Sequence, residues 1–174
     1  MESCRDDLLA GFLPQTLVES ERRTVVSQSL VCQYTHMVFS TKGRRKMIPP
    51  RLTEQLHDRF ASILQNIDSS LIQAGGIPDH RHILARIHQS HSTAEVVQKL
   101  KSISCGWIRR QPGTGKFRWQ RGYAAFSVSP SQVPWVVEYI RNQREHHRRL
   151  PFKDELRRLS EVHGFQVDET FLWD

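Results

Sequence analysis

The chain has few cysteines and no long apolar run, and each absence narrows what it can be. Cys4, Cys32 and Cys105 are its three cysteines, odd in number and scattered over 174 residues. They form neither a zinc-ligand spacing nor a disulfide framework, which predicts free thiols in a reducing cytoplasm. No stretch approaches the ~20 apolar residues of a membrane span. Leu8 to Leu13 is short and follows Asp6 and Asp7, the wrong charge for a secretory signal. Internal repeats and low-complexity tracts are also missing. Acid is in deficit, with 18 Asp and Glu against 25 Lys and Arg, giving a net charge of +7 and a pI of about 9.8. Such a balance speaks to partners rather than to fold and favours a polyanion, nucleic acid first.

The positive charge is clustered. Lys42, Arg44, Arg45 and Lys46 fall in one short loop, and Arg141, Arg144, Arg148 and Arg149 on or just after one helix. A single such residue is ordinary solvated surface; the clusters together read as a nucleic-acid footprint. The length suits one domain with its own core. Residues 1–29 mix charges without a sustained period and are read as an extension, partly disordered, ahead of a domain over 30–174.

Within that domain the periodicities alternate. Val31 to Ser40 predicts a strand apolar on both faces, as a central strand should be. After Pro49-Pro50, the spacing Leu52, Leu56, Phe60, Ile63, Leu64, Ile67 is a helical stripe. Leu71 to Gly76 and His80 to Ile87 predict two strands joined at Ile77-Pro78-Asp79, a hairpin. Ser92 with Glu95 is a capping box opening a helix through Val96, Val97, Leu100, Ile103 and Trp107. A basic loop carrying Trp119 and Arg121 leads to a fourth strand, Ala124 to Ser129. The order β-α-β-β-α-β is the ferredoxin-like, split βαβ layout of an α+β fold: an antiparallel sheet, both helices on one face, the other face free for a site. A further helix is predicted from Ser131–Pro134 to just before Leu150-Pro151, with a core stripe of Val133, Val136, Val137 and Ile140. Tyr139, Gln143 and His146 share its flank. Phe152, Leu156 and Leu159 predict a last amphipathic helix closed by Gly164.

The chemistry-bearing residues sit on this frame. His80 and His82, two apart on a strand, project from one face and can grip one metal ion between them. Nine histidines give about half of one H-x-H by chance, so the spacing needs company. Tyr139 offers it: a phenol is a usable nucleophile toward a phosphodiester held on a divalent ion, and the product is a covalent phosphotyrosine that keeps the energy of the cut bond. Tyr34, in the central strand, and Tyr123, at a strand entrance, are the rivals. Each residue also has a plain structural alternative: surface histidines, an aromatic flanking a core stripe, an ordinary helix amide. His146 and His147 read as a cationic cap on a helix C-terminus, Trp107 as core, and Trp119 as a candidate for stacking on a base.

Several ordered motifs resemble one family. His80-Arg81-His82 after Gly75-Gly76, Trp119-Gln120-Arg121-Gly122-Tyr123, Tyr139-Ile140-Arg141-Asn142-Gln143 with Glu145-His146-His147, Phe39-Ser40-Thr41-Lys42, Phe126-Ser127-Val128-Ser129 and the Leu172-Trp173-Asp174 ending are similar to the HUH-superfamily single-tyrosine transposases of small bacterial insertion sequences. The resemblance runs from about Val31 to Asp174. It implies His80 and His82 as metal ligands, Gln143 as the third, Tyr139 as nucleophile, and Mg²⁺ or Mn²⁺ as the ion. It further implies cutting and rejoining of single-stranded DNA at element ends carrying hairpins, by a homodimer whose tyrosine acts within or across subunits. Lys42, Arg44, Arg45, Lys46 and Arg121 are the expected DNA contacts. The family usually places a hydrophobic residue between the histidines; here it is Arg81, whose stem is expected to lie on the core with its charge in water. A replication or conjugation nickase is the competing enzyme, although the extra domains usual for one are missing. A hairpin-binding protein that has lost the chemistry is the competing non-enzyme. A ferredoxin-like RNA binder would want exposed aromatics on central strands, and none is predicted.

Overall fold

The computed structural model describes residues 29–148 and 151–164. Expectations that fall on residues 1–28, on Arg149 and on the Leu172-Trp173-Asp174 ending lie outside the described residues. The strands are β1 (Tyr34–Ser40), β2 (Ser70–Ile77), β3 (His80–Arg86) and β4 (Ala124–Val128). They form one antiparallel sheet in the order β2-β3-β1-β4. Two helices, α1 (Thr53–Gln65) and α2 (Thr93–Arg109), fill the crossovers, which is the ferredoxin-like arrangement.

Strand alternation divides the core into two faces. Met37, Phe39, Ile83 and Ala85 point toward α1 and α2 and pack with Leu56, Phe60, Ile63, Leu64, Val96, Val97, Leu100 and Ile108. Each of the large side chains among them, moved from water into the interior, is worth about 1.5–3 kcal/mol. The opposite face carries His36, Val38, His80, His82 and Leu84. It is covered by three helices from the second half of the chain: α3 (Val133–Arg141), α4 (Gln143–His146) and α5 (Phe152–Val162). Val133 and Ile140 pack on Leu84, while Phe152 and Leu156 pack with Val38 and Phe126.

Local chemistry explains the boundaries. Pro50 opens a 3-10 turn that runs into α1. At α2 the Ser92 hydroxyl accepts from the Glu95 N–H while the Ser92 N–H donates to Glu95 Oε2 at 2.8 Å, the expected box. Only Pro78 and Asp79 separate β2 from β3.

Two expectations are corrected. The single helix predicted after β4 is broken at Asn142, whose φ of −90° and ψ of 12° end α3 before α4 begins. Asparagine competes with the helix through its own side chain, and here its amide donates to Glu138 Oε1 at 2.5 Å. Arg81 does not reach water: its side chain is 1% exposed. The guanidinium instead donates to the Ile77 carbonyl at 2.8 Å and, more weakly, to the His80 carbonyl, with Thr53 Oγ1 nearby. Burial pulls its pKa down to about 10, still charged at neutral pH. The Ile77 and His80 carbonyls, at the pair that closes the tight β2–β3 turn, give the charge a buried socket.

Candidate active site

The glycine pair decides how close α3 can come. Gly75 is the cross-strand partner of His82, and a Cβ built on it would lie 2.3 Å from the Ile140 carbonyl oxygen. Only glycine admits that approach. It brings Tyr139 onto the histidine face, with its ring centroid 5.8 Å from that of His82 and 6.1 Å from that of His36. Gly76, at φ +128°, begins the turn into His80.

His80 and His82 are both 0% exposed, and each ring is held by its Nδ1. His80 Nδ1 lies 2.7 Å from Asp79 Oδ1, and His82 Nδ1 lies 3.0 Å from His36 Nε2. Both Nε2 atoms are buried without a hydrogen-bond partner. Anchoring one ring nitrogen and leaving the other aimed into the site is how proteins orient imidazole ligands. Burial lowers the pKa of both rings, that of His80 to about 4 despite the opposing pull of Asp79, so they are neutral at pH 7 and in the form that binds a cation.

The fourth wall is α5, which delivers Glu155, 2% exposed. One carboxylate oxygen accepts from the Tyr139 hydroxyl and from Gln143 Nε2, the latter at 2.8 Å. The other lies 3.0 Å from His147 Nε2, 3.6 Å from His82 Nε2 and 3.9 Å from His80 Nε2. Burial alone would raise the Glu155 pKa, but contacts with His147 and His82 outweigh it and hold the group ionised. The Tyr139 phenol is pushed the other way, above its ordinary value, by burial and then by the adjacent carboxylate.

His80, His82, His147 and Glu155 thus bring four donor atoms within 4.8 Å of one another. A six-coordinate ion with bonds of about 2.1 Å spans about 4.2 Å between opposite ligands, so a small inward movement closes the set. Gln143, 1% exposed, adds an amide oxygen with no hydrogen-bond partner. Neutral imidazoles, an ionised carboxylate and buried atoms without hydrogen-bond partners are chemically suited to a divalent cation.

The structure brings His80, His82, Tyr139 and Gln143 together. It also adds residues the sequence reading had not assigned to the site. Asp79 and His36 orient the two rings, and Glu155 ties the tyrosine to them. His147 does terminate α4 through its backbone, yet its ring turns into the cluster, with a side chain 5% exposed. Signals existed for two of these. His36 is an imidazole in the middle of a strand buried on both faces, and Glu155 interrupts the apolar stripe Phe152, Leu156, Leu159 at the buried i+3 position. Of the rival tyrosines, Tyr34 pairs with Arg86 four positions along from His82's partner Val38, about 13 Å away at strand spacing. Tyr123 lies in a separate groove.

The expected DNA contacts gather at the His80 end of the sheet. Thr41 N–H donates to the Asp79 carbonyl at 2.8 Å and Lys42 N–H to the Arg118 carbonyl at 2.9 Å, which ties both basic loops to the turn before His80. Lys42, Arg45, Lys46 and Arg121 are exposed and Arg44 is half-buried. Trp119 is corrected: it is 9% exposed, its indole N–H donates to Ser104 Oγ, and Phe39 and Phe117 pack on it, so no base can stack there. Tyr123, 41% exposed, instead lines a groove of about 470 Å³ beside α2 with Lys101, Arg109, Arg118 and Arg121. No described helix is long and apolar enough to cross a membrane.

Known proteins place this arrangement. No curated protein matches the chain. Two solved structures share its fold: a candidate transposase from Deinococcus radiodurans R1, 22% identical with a TM-score of 0.54, covering 70% of this chain and 98% of that one; and a REP-associated tyrosine transposase bound to a REP hairpin, 13% identical with a TM-score of 0.52, covering 72% and 74%. The family model of the IS200-like transposases matches residues 29–143, from before β1 to the glutamine that opens α4. That span is well over half of the sequence, and the chain therefore belongs to the IS200-like transposase family.

Proposed function

We propose that this transposase cuts and rejoins single-stranded DNA at hairpin-bearing ends through a covalent link to Tyr139, with a divalent ion held by His80, His82 and Gln143. The observation that carries the reading is the meeting, within one chain, of the Tyr139 hydroxyl and two anchored imidazoles around the Glu155 carboxylate. A bound divalent ion supplies charge neutralisation and orientation of the scissile phosphate. The protein does the rest. Glu155 aims the hydroxyl, and the phenol proton leaves along that hydrogen bond as the bond from Tyr139 Oη to phosphorus forms. The bond from phosphorus to the departing sugar oxygen breaks in line, and that oxygen takes a proton from solvent. Reversal with a second strand end rejoins DNA without a nucleotide cofactor, since the phosphotyrosine keeps the bond energy.

Substrate contacts follow from charge. Lys42, Arg44, Arg45, Lys46 and Arg121 gather at the His80 end of the sheet and suit a phosphate backbone, and a hairpin is the nucleic acid on the REP-associated neighbour. The reading includes a homodimer in a reducing cytoplasm, with the nucleophile acting in cis, because Tyr139 reaches the imidazoles of its own chain. A binding protein without chemistry has two supports, Arg81 and the extension over residues 1–29; the Arg81 guanidinium lies against Ile77 and Thr53 on the helix-packed face and gives no reason to expect inactivity, and residues 1–28 lie outside the described residues.

The test is a labelled single-stranded hairpin incubated with protein and Mn²⁺ or Mg²⁺. Label is expected to become covalently attached, and Tyr139→Phe is expected to abolish attachment while leaving hairpin binding intact. Attachment that survives in Tyr139→Phe rejects the assignment.

A further inference from the structure

We propose that His147 and Glu155 are themselves metal ligands, completing a site of three imidazoles and a carboxylate that selects a transition-metal ion over Mg²⁺. The proposal deepens the function above by naming the class of ion and two of its ligands.

Hydrogen-bond accounting carries it. Asp79 can only accept, so the proton of neutral His80 resides on Nδ1 and the lone pair of His80 resides on Nε2. That lone pair faces Glu155 Oε2, another acceptor, at 3.9 Å, with both atoms buried. Two acceptors turned toward each other in a dry interior repel, and neither can be satisfied by the other. A cation between them converts the repulsion into two bonds. His82 Nε2 lies 3.6 Å from the same oxygen and His147 Nε2 3.0 Å from it, so that all four donor atoms fall within 4.8 Å of one another, the span one ion can bridge. One carboxylate oxygen is therefore within reach of all three rings, and the second is already occupied by Tyr139 and Gln143. Glu155 thus links the ion to the nucleophile through one side chain.

Ligand type sets the ion. Imidazole-rich sites suit Mn²⁺ through Zn²⁺, whereas Mg²⁺ demands a near-ideal octahedron of oxygens and keeps most of its waters. Three buried imidazole nitrogens leave Mg²⁺ poorly matched here. The helix α5 acquires a role with them: removing it would take away the site's one anionic donor.

The experiment is Mn²⁺ binding to the metal-stripped full chain, followed by electron paramagnetic resonance and calorimetry. Glu155→Gln and His147→Asn are each expected to weaken Mn²⁺ binding at least tenfold with circular dichroism unchanged, and Mg²⁺ in hundredfold excess is expected not to displace Mn²⁺. Pulsed resonance on the unmodified protein counts nitrogen ligands without any substitution, and three are expected. Two nitrogens, a Glu155→Gln protein that binds Mn²⁺ like the parent, or displacement by comparable Mg²⁺ would each overturn the proposal. None of these readouts needs strand transfer, so the nucleophile assignment stands or falls separately, by Tyr139→Phe.

Discussion

Replacing Gly75 with alanine tests whether the approach of α3 to the sheet is what positions the nucleophile. The added Cβ would sit 2.3 Å from the Ile140 carbonyl oxygen and 2.7 Å from Ile140 Cγ2, where ordinary contact begins at 3.4 Å. Relief requires α3 to move away by about 1 Å, and Tyr139, the preceding residue, moves with it; misplacement of that size costs about a hundredfold in rate. Overpacking of a close interface costs about 1–3 kcal/mol, which for a domain of this size lowers Tm by about 2–12 °C. The control is Gly106→Ala in α2, where nothing lies within 4 Å of the new Cβ; there a helix interior gains up to about 1 kcal/mol. Both proteins are assayed by single-turnover attachment of labelled hairpin DNA and by thermal unfolding. A Gly75→Ala protein that reacts and melts like the parent would refute the link between glycine, helix approach and nucleophile.

Three further outcomes are expected. His36→Phe keeps an aromatic ring beside Phe126 and Tyr139 but removes the partner of His82 Nδ1, and should weaken Mn²⁺ binding about 10–100-fold by calorimetry; unchanged binding would show that His82 needs no such anchor. Metal-free stability should be full above pH 6.5 and fall as pH drops toward 4, because the unfolded chain protonates His80 at its ordinary value of 6.5 while the folded chain holds it at about 4. The loss over that window is about 3 kcal/mol from His80, with His82 and His36 shifted in the same direction, and urea unfolding free energies that stay flat across it would contradict the burial of neutral imidazoles. Arg81→Ala should cost about 2–4 kcal/mol in urea unfolding through lost stem packing and orphaned carbonyls, and Arg81→Met should recover at least half; equal losses would place the whole effect in the charge.

Much of this was legible in the chain itself, and the limits have physical reasons. Period-2 and period-3.6 patterns carry element type and facing, so the succession of strands and helices along the chain, the capping box at Ser92 and the shared face of His80 and His82 could be read directly. Periodicity does not say which surface a helix meets. The stripe Phe152, Leu156, Leu159 indicated a buried face for α5 but not that the face lies over the imidazoles, and so Glu155 stayed invisible as a site residue. His147 was read from its place at a helix end, which its backbone keeps; the direction of its ring is a tertiary property that its position in the sequence does not carry. Arg81 and Trp119 were misread for one reason. An amphipathic or aromatic side chain is assigned to solvent by default, and only tertiary contacts reveal buried carbonyls or a serine hydroxyl waiting for its polar end.

The most direct test of the central claim is the site of DNA attachment. Protein reacted with hairpin DNA in Mn²⁺ is digested, and the modified peptide is located by tandem mass spectrometry. The nucleotide remnant is expected on Tyr139, one of three tyrosines in the chain; finding it on Tyr34, which pairs with Arg86 four positions along the strand from the His82 pair, or on Tyr123, in a separate groove, would contradict the account.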